Sequence, residues 1–60
     1  MDNKQEAIQQ ALQNRKYLPF RIHYIFTNKH TPNFWETGNS YDMRRSNSIV
    51  RKGGVVEILQ

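Results

Sequence analysis

A glycine pair near the end of the chain, Gly53-Gly54, constrains the fold more than any other two residues. It stands between a basic pair, Arg51-Lys52, and an apolar run, Val55 to Leu59. Two glycines can take positive φ at both central positions of a two-residue loop, the turn whose twist matches that of paired strands. The segment Tyr41–Leu59 is therefore expected to end in a β-hairpin that opposes Lys52 to Val55, Arg51 to Val56, Val50 to Glu57 and Ile49 to Ile58. Both faces of this hairpin are half apolar. Ile49, Val56 and Ile58 are expected inside, because the other face carries Lys52 and Glu57.

The remainder of the chain supplies elements to pack against that hairpin. Asn3 to Lys16 predicts a helix, with apolar Ala7, Ile8, Ala11 and Leu12 at helical spacing. Asn3 and Glu6 have the spacing of a capping box, and acids at the start and Arg15-Lys16 at the end complement the helix dipole. Pro19 stops the helix by pushing Leu18 out of the α region. Phe20 to Thr27 predicts a strand, in which Phe20, Ile22, Tyr24 and Phe26 alternate with Arg21, His23, Ile25 and Thr27. The aromatic face is expected under the helix and the Arg21/His23 face in contact with water. Asn28 to Asn33 predicts a loop, given its asparagines and Pro32. Gly38-Asn39 predicts a second hairpin turn within Phe34–Met43, which would turn Phe34, Tyr41 and Met43 inward and Trp35 outward near Arg44.

These elements make an α+β domain over residues 1–60: an N-terminal amphipathic helix packed on a small antiparallel sheet of three to five strands. A small five-stranded barrel with the helix as lid is the alternative. A chain of 60 residues buries only about 60% of the surface exposed by its unfolded form, so every core contact counts. With no cysteine there are no disulfides and no thiolate metal sites. No apolar run approaches the roughly 18 residues that span a bilayer, and nothing resembles a signal peptide, so a cytoplasmic location with no membrane partner is expected.

Enzymatic chemistry is not indicated, and no cofactor or metal is implied. His23 and His30 lack helical metal-binding spacing, and the glycine pair lacks the Lys-Ser/Thr and following helix of a phosphate loop. Glu36 and Asp42, expected on opposite faces, suit ion pairs with nearby arginines better than acid–base work. Charge is more informative. Nine Lys+Arg against five Asp+Glu leave a net charge of +4, which favours acidic partners. Arg44, Arg45, Arg51 and Lys52 crowd into nine positions, and Arg15, Lys16 and Arg21 gather at the helix–strand junction. Cations of this kind neutralise phosphates, and a neighbouring aromatic such as Trp35 would stack on an unpaired base. The expected function is that of a non-enzymatic protein binding nucleic acid through an arginine-rich sheet face, with Arg44, Arg45, Arg51, Lys52, Trp35 and Arg21 as contact residues. The alternative is an interaction module or inhibitor that covers a surface of a larger acidic protein. In that case Val55–Leu59, at a sheet edge, would add to a partner's sheet or pair two copies into a homodimer.

Overall fold

The computed structural model describes residues 2–59, in which α1 (Lys4–Asn14), β1 (His23–Asn28), β2 (Thr31–Gly38), α2 (Met43–Arg51) and β3 (Val55–Leu59) follow one another. The three strands form an antiparallel sheet in the order β2-β1-β3. The α+β class and the helix on a small antiparallel sheet are as expected. The sheet has three strands and two free edges among the described residues, not the closed circuit of a barrel.

Helix α1 forms where the apolar stripe predicts it. Ala7 and Ala11 are buried and Ile8 is partly so, while Leu12 looks outward. The two alanines let the helix approach the sheet closely over Ile25 and Trp35. The expected capping box does not form. Asn3 turns its side chain away from the helix to the backbone of β2: Trp35 N–H donates to Asn3 Oδ1 at 2.6 Å, and Asn3 Nδ2 donates to the Trp35 carbonyl at 3.1 Å. A side-chain amide thus pairs with a peptide group as a neighbouring strand would, which joins the start of α1 to β2.

The sheet reverses the expected faces. Strand β1 starts at His23, so Phe20 and Ile22 lie outside it and are exposed. The side of β1 under α1 carries His23, Ile25 and Thr27, with Trp35 and Leu59 from the flanking strands. His23, expected to be wet, is only 1% exposed, and its Nε2–H donates to the Leu18 carbonyl at 3.0 Å. Tyr24 and Phe26 point to the opposite side. The inversion arises because both faces of this central strand are buried, so alternation alone cannot say which one meets the helix.

Neither glycine hairpin forms. The Asn28–Asn33 loop is a two-residue turn, Lys29-His30, and strand structure resumes at Thr31. Neither turn residue has positive φ, so the turn lacks the twist that suits a regular hairpin, and the register shifts between Phe26 and Asn28. Gly38 ends β2 opposite Tyr24 instead of opening a turn. A Cβ there would fall 2.6 Å from Tyr24 Cε1 and closer still to Cζ. The position is glycine because the Tyr24 ring lies across it.

The segment expected as the first arm of the closing hairpin is helix α2. Asp42 caps its start, accepting from Arg44 N–H at 2.7 Å. Gly53 ends it with φ of 94°. Gly54 N–H reaches back to the Ile49 carbonyl at 2.9 Å and Gly53 N–H to that of Val50 at 3.0 Å, the paired bonds of a Schellman motif. Positive φ at Gly53 is used to stop a helix, not to turn a hairpin. Ile49 and Val56 are half-buried, while Ile58, Phe34 and Met43, expected inside, are exposed.

Candidate nucleic-acid interface

The four clustered cations lie on a helix and not on a sheet face. Arg44 and Arg45 occupy the first turn of α2, Arg51 its last turn and Lys52 its C-cap, and all are exposed. At about 100° per residue they fall within an arc of roughly 120°, with Ile49 and Val50 outside it. The helix has no acidic residue in its first turn. Cations there oppose the helix dipole, and the Asp42 cap works against that cost. Helix stability alone does not favour Arg44 and Arg45 at these positions, whereas Arg51 and Lys52 stand at the end where the dipole favours cations.

Arg45 is oriented by the sheet. Its Nη1 donates to the Tyr24 hydroxyl at 3.3 Å, and the Tyr41 ring meets Tyr24 edge-on at 6.0 Å. The Arg45 guanidinium is held above its ordinary pKa, first by that hydrogen bond, then by attraction to the same oxygen, with less from Asp42. It keeps its charge at any pH at which the fold is of interest.

Arg21 joins this end of the molecule through the chain before α2. Its Nη1 donates to Ser40 Oγ at 2.6 Å, and Tyr41 N–H donates to the Ile22 carbonyl at 3.3 Å. Arg15 and Lys16 leave α1 at the same end. Arg51 and Lys52 lie two helical turns away, near the β1–β2 turn, where the Lys29 side chain runs beside Gly53. Apart from Lys4, the cations thus divide into a larger group, Arg15, Lys16, Arg21, Arg44 and Arg45, and a smaller one, Lys29, Arg51 and Lys52.

Two of the acids are engaged elsewhere. Glu57 pairs with Lys4 at 2.6 Å, and Glu36 accepts from Asn28 Nδ2 at 2.8 Å. The expected ion pairs of Glu36 and Asp42 with arginine side chains are replaced by these contacts and by the α2 cap.

Trp35 does not join the cations. It is 9% exposed, packed under α1, with Lys4 Nζ 5.1 Å from its ring centroid. It presents no open face on which a base could stack. Exposed aromatics occur instead at Tyr17, Phe20 and Phe34. The signal for the first two is Pro19, which makes Leu18–Arg21 a turn and so removes Phe20 from the alternating strand.

No group of three or more His, Cys, Asp or Glu side chains among the described residues could hold a metal ion, and no helix there is long and apolar enough to cross a membrane. No protein-family model, curated protein or solved structure matches the chain.

Proposed function

We propose that this protein is a non-enzymatic nucleic-acid-binding domain whose contact surface is the outward arc of α2, extended by Arg21. The observation that carries the reading is the exposure of Arg44, Arg45, Arg51 and Lys52 on one side of a short helix, with its dipole opposed at the start and no carboxylate within it. Such a surface neutralises phosphates and releases their counterions, which gives an affinity that falls steeply with salt. Fluorescent single- and double-stranded DNA and RNA titrated at low and moderate salt test it. Log affinity should fall linearly with log salt, and Arg44→Ala and Arg45→Ala should each reduce the slope by about 1. Absence of binding at low salt refutes the reading.

A second reading, contact with a larger acidic protein or with another copy, draws support from the position of β3 at the sheet edge. Its outer side has no strand neighbour among the described residues, and Val55 and Ile58 are exposed. An edge of this kind can add to another sheet. Sedimentation across a wide concentration range tests the homodimer, and a monomer throughout excludes it.

A further inference from the structure

We infer that the turn Tyr17–Arg21 is a stacking platform for unpaired bases, so that the nucleic acid bound is single-stranded; this rests on the reading of α2 as a phosphate-binding surface. Phe20 is 99% exposed and Tyr17 81% exposed. In a chain with so small a core, two large rings in water are a cost to solubility that packing does not explain.

The turn that follows Tyr17 and presents Phe20 is closed by a hydrogen bond. Arg21 N–H donates to the Leu18 carbonyl at 3.2 Å, closing a four-residue turn with Pro19 at its second position and Phe20 at its third. Proline presets φ for that second position, and Phe20 does not have positive φ, so the turn is of type I. The same Leu18 carbonyl accepts from the buried His23 ring at 3.0 Å, and Leu18 N–H donates to Asn14 at 2.9 Å. Leu18, at the start of the turn, is therefore held through both its N–H and its carbonyl, Arg21 at the other end is bonded to Ser40, and Phe20 stands at the corner. A base that stacks there orders little protein in doing so.

The surroundings favour a polyanion over an uncharged apolar partner. Lys16 precedes Tyr17, and Arg21 follows Phe20 and is bonded to Ser40, just ahead of α2. The rings are thus bracketed by cations in sequence, and the Arg21–Ser40 bond ties their turn to the segment that leads into α2, where Asp42 is the nearest acid along the chain. Its carboxylate caps α2. Aromatic rings alternating with phosphate-binding cations are what a flexible single strand needs, since its bases can leave their own stack. A duplex offers phosphates to α2 but no base faces to Phe20.

The test measures fluorescence anisotropy of an oligothymidine and of a duplex of equal length, with wild type, Phe20→Ala, Tyr17→Ala and Arg44→Ala/Arg45→Ala. Wild type should prefer the single strand. Phe20→Ala should weaken single-strand binding about tenfold or more and leave the duplex affinity and both salt slopes unchanged. The arginine variant should weaken both. Phe20 is exposed, so its variant keeps the fold, and unchanged circular dichroism verifies this. Equal binding of the two probes with no effect of Phe20→Ala overturns the stacking platform and leaves the α2 reading intact. No binding of either probe removes the α2 reading and this one with it. Phosphatidylserine vesicles, and sedimentation of wild type against Phe20→Ala, complete the test. A Phe20-dependent vesicle affinity or self-association, without Phe20-dependent oligonucleotide binding, assigns the turn to a membrane surface or a second copy and overturns the proposal.

Discussion

Replacing Gly38 by alanine adds one methyl group at a position whose backbone accepts any residue, since Gly53 is the glycine with positive φ. The whole penalty is therefore steric and falls on one neighbour. The new Cβ would lie 2.6 Å from Tyr24 Cε1, with Cζ and the hydroxyl also inside contact distance. Tyr24 is 2% exposed, and its ring can yield only toward the cavity it lines with Asn14, Phe26 and Arg45. Overpacking of this kind costs about 1–3 kcal/mol, and a displaced ring also loses its hydrogen bond to Arg45. Against this, alanine restricts the unfolded chain and returns about 0.4–1 kcal/mol. Gly38→Ala should thus destabilise by about 2 kcal/mol, a large share of the roughly 3–9 kcal/mol that a domain of this size has in total. The assay is urea unfolding followed by the fluorescence of Trp35, the single tryptophan, in a stabilising osmolyte where needed. The decisive comparison is with Tyr24→Val. With the ring gone, Gly38→Ala should become neutral or stabilising, giving a coupling of about 2 kcal/mol or more between the two sites. An equal loss in both backgrounds refutes the steric account.

Two further substitutions test the ends of the helices. Gly53→Ala forces an L-residue to φ of 94° and should cost about 1–2 kcal/mol in urea melts, with reduced helical circular dichroism from α2; no loss would mean that the Schellman stop is not needed. Asn3→Ala leaves the Trp35 N–H and carbonyl without their side-chain partner and should cost about 1–3 kcal/mol, whereas a loss below about 0.5 kcal/mol would show that water replaces the amide.

How far the chain could be read varied with how many structures each local pattern permits. The α1 stripe of Ala7, Ile8, Ala11 and Leu12, bounded by Pro19, has only one periodic reading, and the helix lies where it predicts. Strand β1 was legible from its alternation, but with His23, Ile25 and Thr27 buried as well as Tyr24, polarity could not choose its faces. Helix α2 was hidden for two reasons. Ser46, Asn47, Ser48, Ile49 and Val50 are indifferent helix formers, and a glycine pair serves a hairpin turn and a helix stop equally well. The discriminating signal is Asp42, an N-cap residue placed one position before a segment whose apolar residues, Met43, Ile49 and Val50, share a helical side. The candidate cations lie close together in sequence, yet their common surface depends on recognising that helix. Trp35 faces inward because its side follows from the pairing of β2 with β1, not from a hairpin with its own sequel.

The strand order β2-β1-β3 has a consequence for how the chain assembles. Strands β1 and β2 meet across a two-residue turn, and α1 closes over them from the preceding segment. Strand β3 pairs with the same β1 from much farther along the chain, Val55 bonding to Thr27 at a separation of 28. Closing a loop of that length instead of a tight turn costs roughly 1.5–2 kcal/mol more in chain entropy. On this ground strand β3 is expected to dock last and to be released first, with the terminus of α2 following it. Exchange of backbone amides for deuterium should then run faster along β3 and the last turn of α2 than along β1. Two halves of unequal permanence would make up one small domain, with the cations of α2 divided between them.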